Sequence, residues 1–279
     1  PSPSKNGQTL MKIAIIAGGG NFPIQIARQN KDAFVLCIEG YSYQNLFENK
    51  SETVSLLEPL HWLTILKNNN ITHIVMAGKI NRPSNLNNIS NEKANELINQ
   101  IISVGDNAAL NYIEEFFNKN GFKILPVNSI LKDCFFSKGF YMEDSFSQKF
   151  KDFVLKNAKF GAKLLNTISK FDVGQSVVVN NELVYAIEGL EGTNSMIDRV
   201  GVLYNQNKNH EDFGPVLIKI PKIGQNLNLD LPVIGLETIK KCQLSGLSSI
   251  VVSSTGTLIV ELNKVVAYIK KNKFCIYAI

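Results

Sequence analysis

Asp230 stands between Leu229 and Leu231, and Pro232 sets the direction of the chain just after it. A carboxylate among apolar neighbours is costly unless it meets a cation, a hydrogen-bond donor or a metal. Two lysines lie upstream in Lys219-Ile220-Pro221-Lys222. Lysines within reach of a metal-bound carboxylate suit phosphoryl chemistry, because the transition state spreads negative charge over phosphate oxygens. A turn or capping aspartate ahead of a helix at Leu236 is the other reading of Asp230, and spacing alone leaves both open.

Other polar groups cluster around a hairpin pattern. Asp172-Val173-Gly174-Gln175 precedes it, and Glu188-Gly189-Leu190-Glu191-Gly192-Thr193-Asn194 follows, with Asp198 and Arg199 behind. The run from Glu191 could start a helix that receives an anion, although Thr193 or Asn194 would serve equally as an ordinary cap. Near the other end of the chain, Ala17-Gly18-Gly19-Gly20-Asn21-Phe22-Pro23 is a strand running into a glycine turn and a helix start. Such a turn can cradle phosphate, and Glu39 sits where a ribose-binding acid would. Pro23 takes the place of the third fingerprint glycine, so nicotinamide binding, phosphate contact and a structural turn all remain readings. Gly78-Lys79-Ile80-Asn81-Arg82-Pro83 is a second loop leaving a strand, and Asp106 in Gly105-Asp106-Asn107 is either an N-cap or a site carboxylate.

Other chemistries have less to stand on. His61, His73 and His210 are dispersed without metal-ligand spacing, Ser253-Ser254 lacks a nucleophile elbow, and no Walker loop occurs. The formal charge of +5 arises from 29 basic and 24 acidic residues without a dense basic stripe interleaved with aromatics, so nucleic acid is not expected. Four scattered cysteines without a CxxC pair suggest a reduced, intracellular setting, and no run approaches the roughly 18 apolar residues of a membrane span.

These residues need elements to position them. Short apolar runs at 12–17, 33–38 and 74–77 alternate with helical patterns from Pro23 and around 61–67, which is βαβαβ order. Two helical stretches, 92–103 and 107–118, lead to a strand at 122–127, and together these predict a Rossmann-like parallel-sheet domain over 11–143. A long amphipathic helix at 148–168 opens a second α/β or α+β domain over 144–279. There, strands at 175–179 and 182–187 flank a turn at Asn180-Asn181, and further strands fall at 216–220, 250–252 and 274–278. A second hairpin is expected through Thr255-Gly256 to 258–260. Residues 1–10 read as an N-terminal extension or remnant.

Six motifs in this order carry a family resemblance. They are Ile16-Ala17-Gly18-Gly19-Gly20 with Pro23, Ala77-Gly78-x-x-x-Arg82-Pro83, Gly105-Asp106-x-Ala108-x-Leu110, Asp172-x-Gly174-Gln175, Glu191-Gly192-Thr193 and Asp230-Leu231-Pro232-x-Ile234-Gly235. From Met11 to the C-terminus the chain resembles the LpxI family of UDP-2,3-diacylglucosamine pyrophosphatases of bacterial lipid A synthesis. The resemblance implies two α/β domains with the lipid between them. It implies divalent-cation-dependent cleavage, with Mg²⁺ or Mn²⁺, to UMP and 2,3-diacylglucosamine 1-phosphate, lipid X. The family's catalytic aspartate carries over to Asp230, as metal ligand or orienter of a water directed to the phosphorus next to the sugar.

On that footing Gln175, Glu191, Gly192, Thr193 and Asn194 are expected at phosphate or sugar, with Lys219 and Lys222 neutralising the pyrophosphate. Gly18, Gly19, Gly20, Gly78, Asn81, Arg82 and Asp106 would hold the remaining polar part of the substrate. Ile223-Gly224-Gln225-Asn226 falls in a segment that varies within the family. Phe135, Phe136, Phe140, Tyr141 and Met142 are candidates for an acyl chamber or for ordinary core. The expected setting is cytoplasmic, with transient contact at the cytoplasmic face of the inner membrane, and a homodimer is left open. The competing functions are a nicotinamide-dependent oxidoreductase using Gly18 to Gly20 with Glu39, and a nucleotide-sugar or lipid carrier without turnover.

Overall fold

A computed structural model describes residues 11–81, 91–206 and 213–279, apart from the side chains of Asp106 and Asn107. The chain divides into two compact units between Leu131 and Lys132.

In the first unit, β1 (Ile13–Ala17) leads through α1 (Phe22–Gln29) to β2 (Phe34–Ile38), and β3 (Ser51–Val54) through α2 (Pro59–Asn68) to β4 (His73–Ala77). α3 (Glu92–Ile102), α4 (Asp106–Lys119) and β5 (Lys123–Ile124) follow. The five strands form one sheet in the order β3-β2-β1-β4-β5, every pair parallel. β1 and β2 are apolar without alternation because helices cover both sheet faces. Trp62, Leu66, Phe117 and Phe122 fill the space beneath α2 and α4, and the indole N–H of Trp62 donates to Ser55 O at 2.8 Å. The Rossmann-like expectation therefore holds for this unit. β3 was not anticipated, since Ser51-Glu52-Thr53-Val54 is a partly exposed edge strand with no apolar run. The expected strand at 122–127 shortens to two residues, its pairing ending at Pro126, which has no N–H to give.

In the second unit β6 (Gly139–Phe140) precedes α5 (Gln148–Ile168), and the hairpin β7 (Ser176–Asn180) and β8 (Leu183–Ile187) runs into α6 (Gly192–Gln206) and β9 (Val216–Lys219). Then come β10 (Val233–Ile234), α7 (Leu236–Leu244), β11 (Ser249–Val252), β12 (Leu258–Ile259), α8 (Leu262–Asn272) and β13 (Cys275–Ala278). The main sheet has the order β6-β13-β11-β9-β7-β8, parallel through β13, β11 and β9 and antiparallel at β6, β7 and β8. α5 covers one face. Gly161 lets it settle there, because a Cβ at that position would stand 2.6 Å from the Ile218 side chain. Met196, Ile197, Val200, Ile239, Val265 and Ile269, from α6 to α8, cover the other face.

Three local expectations change. The β7–β8 turn sits one residue later than expected: Asn180 ends β7, and the positive φ angles fall on Asn181 and Glu182. The hairpin through Thr255-Gly256 does not form. β12 instead pairs parallel with β10, and the N–H of Leu258 donates to Pro232 O at 2.8 Å. Residues 132–143 pack with the second unit, as β6 adds antiparallel to β13. Phe136 is buried in that unit's core with Tyr141 edge-on at 5.3 Å, and Phe140 lies 4.5 Å from Tyr277, so these rings pack in the core.

All four cysteines are buried thiols. Burial pushes Cys37 up, Cys134 to about 11 and Cys275 to about 12. No helix among the described residues is long and apolar enough to cross a membrane.

Candidate functional site

The antiparallel register brings separate strand ends to one edge of the second sheet. Lys219, last in β9, lies opposite Ser176, first in β7. Glu188 follows β8, and its N–H donates to Ser176 O at 2.9 Å. α6 begins four positions later, so its first turn lands beside these groups. The Thr193 hydroxyl donates to Glu188 Oε1 at 2.7 Å, and Lys219 Nζ donates to Thr193 Oγ1 at 2.6 Å. Lys219 and Glu188 are each 8% exposed. Burial pulls the Lys219 ammonium below the ordinary lysine value, while the negative charges of Glu188 and Asp230 oppose that pull.

Asp230 joins the cluster from the loop after β9. Its Oδ2 accepts from Gln175 Nε2 at 3.0 Å and from Gln225 Nε2 at 2.6 Å. Gln225 also donates to Asp230 O at 3.0 Å and receives the N–H of Lys222 at 2.9 Å, which folds the loop onto itself. Asp230 is not the cap of α7, whose N-cap is Gly235. Its carboxylate is held by two neutral amides through one oxygen, and no described residue donates to Oδ1. Lys222 Nζ pairs with Asp172 Oδ1 at 2.5 Å.

The first unit places its loops where the strand order reverses between β1 and β4, the usual ligand crevice of such sheets. The N–H groups of Gly18 and Gly19 donate to Ala77 O at 2.8 Å and Lys79 O at 2.9 Å. These amides are therefore committed to the neighbouring loop and do not cradle an anion. Gly18 and Gly78 are required by that approach, since a Cβ on Gly78 would lie 2.7 Å from Gly18 C and Gly19 O. Tyr41 clasps the same loop, its hydroxyl donating to Asn81 O at 3.2 Å and accepting the Asn81 N–H at 3.1 Å. Glu39 is exposed at the end of β2.

The LpxI N-terminal domain matches residues 12–134, and the LpxI C-terminal domain matches residues 144–277. The chain belongs to the LpxI family. It is similar to the UDP-2,3-diacylglucosamine pyrophosphatase LpxI of Caulobacter vibrioides, with 26% identity over 267 residues that cover 92% of this chain and 94% of that protein.

Within this LpxI chain the structure unites Gln175, Thr193, Lys219 and Asp230. It sends two other expected residues elsewhere. Glu191 accepts the N–H of Gly189 at 3.1 Å and pairs with Arg199 at 2.8 Å, which holds its carboxyl below the usual range. Asn194 ties α6 to α7, donating to Glu237 at 3.0 Å and accepting from Thr238 at 3.3 Å. At α4 the N-cap is Gly105, which displaces Asp106 from the capping role. Arg82 and His210 lie outside the described residues.

Sequence reasoning passed over Glu188 and Gln225 as site residues. Hairpin pairing carries a signal for Glu188: with Val177 opposite Ile187, the next residue outward comes to the start of β7. Gln225 has no such signal, because it reaches Asp230 through the fold of an irregular loop.

The donor set bears on a divalent cation. Both Glu188 oxygens are engaged by protein donors, and no group of three or more His, Cys, Asp or Glu among the described residues could hold a metal. One open oxygen on Asp230 fits a hard cation that takes its remaining ligands from phosphate and water, the usual manner of Mg²⁺.

Proposed function

We propose that this LpxI chain hydrolyses the pyrophosphate of UDP-2,3-diacylglucosamine to UMP and 2,3-diacylglucosamine 1-phosphate, lipid X, within lipid A synthesis. The observation that carries this reading is the joint placement of a buried ammonium, Lys219, and an amide-held carboxylate, Asp230, at one sheet edge. A phosphoric anhydride needs both: positive charge for its oxygens, and an acceptor that fixes the attacking water.

In this mechanism Gln175 and Gln225 fix the plane of Asp230, leaving Oδ1 to face the reacting phosphoryl group and water. Lys219 meets the charge that develops on the phosphoryl oxygens. Low-dielectric surroundings strengthen that interaction, and no side chain has to reorganise as the reaction proceeds. Lys222 adds a second positive charge, balanced at rest by Asp172. The water oxygen bonds to phosphorus as one of its protons passes to Asp230 Oδ1, the bridging P–O bond breaks, and UMP departs with that electron pair when that phosphorus is the one next to the sugar. Mg²⁺ or Mn²⁺ held by Asp230 and the phosphates would supply Lewis acidity. The acylated substrate would bring the chain into transient contact with a membrane surface, in this reading the cytoplasmic face of the inner membrane.

The test is UMP release from UDP-2,3-diacylglucosamine with Mg²⁺, with Mn²⁺ and with EDTA. Release that requires metal supports the reading in full. Release in EDTA keeps the hydrolysis and removes the cation. Tight substrate binding with no release supports a carrier instead.

A further inference from the structure

Glu188 is the group through which the two halves of the edge are joined. Its Oε1 takes the Thr193 hydroxyl and its Oε2 takes the backbone N–H of Gln175 at 3.2 Å. One arm thus runs through Thr193 to Lys219. The other runs through Gln175 to Asp230. The tight seat of Glu188 explains Gly174, where a Cβ would stand 2.5 Å from Glu188 O and 2.7 Å from its Cβ and Cγ.

The hydrogen-bond chemistry fixes proton positions along the first arm. An ionised carboxylate only accepts, so the single hydroxyl proton of Thr193 goes to Glu188, and Thr193 Oγ1 has only lone pairs left for Lys219. Lys219 carries three N–H donors. Thr193 takes one, and among the described residues no other acceptor takes a second. A nine-tenths buried ammonium anchored by one donor keeps two for a phosphate oxygen.

We propose that Glu188 is a positioning residue for the pyrophosphate: through Thr193 it orients the Lys219 ammonium, and through Gln175 it orients Asp230, so that both meet one phosphoryl group. The proposal rests on the hydrolase reading above, but its test does not depend on turnover. Glu188 itself touches neither water nor substrate in this scheme.

The test is a double-mutant cycle between Glu188→Gln and Thr193→Val, with Thr193→Ser as the conservative control. Two readouts are taken: kcat/KM for UMP release, and affinity for inorganic pyrophosphate with Mg²⁺ by calorimetry. Glu188→Gln and Thr193→Val are each expected to lower both by about tenfold or more, and Thr193→Ser to stay within about threefold of wild type. Because Glu188 acts on Lys219 through Thr193 and on Asp230 through Gln175, the double variant should lose clearly less than the product of the two single losses, the remainder beyond Thr193→Val being the Gln175 arm. A purely structural role would lower the melting temperature of Glu188→Gln without this coupling. Losses that multiply, or Glu188→Gln matching wild type in both readouts, overturn the proposal. Should wild type release no UMP, the function fails while the pyrophosphate cycle still decides: coupled loss of affinity supports Glu188, and unchanged or undetectable wild-type binding refutes it.

Discussion

Replacing Asp230 with asparagine changes charge while keeping shape. Oδ2 of Asp230 receives two amide donors, at 3.0 Å from Gln175 and 2.6 Å from Gln225. An asparagine can place its carbonyl oxygen at that position, so both donors keep an acceptor and the NH₂ takes the place of the open Oδ1. Each bond falls from charge-assisted to neutral, a loss of about 1 kcal/mol apiece, so Asp230→Asn should cost at most about 2 kcal/mol of stability. The reaction loses far more, because the negative charge facing phosphoryl group and water is gone. Removal of one preorganised electrostatic group costs about 10²- to 10³-fold in rate, or about 3 to 4 kcal/mol. The assay is UMP release from UDP-2,3-diacylglucosamine at saturating Mg²⁺, with thermal melting on the same sample. A folded Asp230→Asn that retains kcat within tenfold of wild type would refute the assignment of Asp230 to the reacting edge.

Lys219→Met tests a charge held at a cost. Burial places the folded pKa of Lys219 below the unfolded 10.5, so the charged form carries a penalty at pH 7 that is relieved as pH rises through the folded pKa towards 10.5. In the variant UMP release should fall about 100-fold or more, and any stability difference from wild type at pH 7 should shrink as pH approaches 10.5; activity kept within tenfold of wild type would contradict this. Gly78→Ala must place a Cβ 2.7 Å from the glycine turn at φ +91°, and denaturant unfolding should show a loss of about 2 kcal/mol or more. Asp172→Asn removes the charged partner of Lys222, whose side chain is only 12% exposed, so stability should fall by about 1 to 2 kcal/mol, as a urea titration would reveal. The cysteines are buried with thiols raised by desolvation, so a disulfide-exchange reagent at pH 8 should label native protein far more slowly than unfolded protein, in which all four react.

Much of the layout was legible in the sequence, because strands buried on both faces read as unbroken apolar runs. The apolar runs at 12–17, 33–38 and 74–77 announce a parallel sheet, whose strands form at 13–17, 34–38 and 73–77, and glycines after them announce loops at the strand ends. The long helix 148–168 was equally plain from its amphipathic spacing, and Asp230 stood out because a charge among leucines and proline needs a partner. Polar edge elements were not legible. β3 has no apolar run, and β12 turned to β10 in a parallel pair where a local turn motif promised a hairpin.

The sequence by itself determined the family and the two α/β domains, and it singled out Asp230, because each rests on residue type or local period. Tertiary structure alone decided the partners of that aspartate. Gln175 lies 55 positions from Asp230, and Thr193 lies 26 from Lys219, yet both pairs are hydrogen-bonded. It also turned Glu191 and Asn194 to helix ties and drew Glu188 and Gln225 into the site. Hydrogen bonds act over about 3 Å and are indifferent to separation along the chain, so only the register of β7, β8 and β9 could bring these groups together.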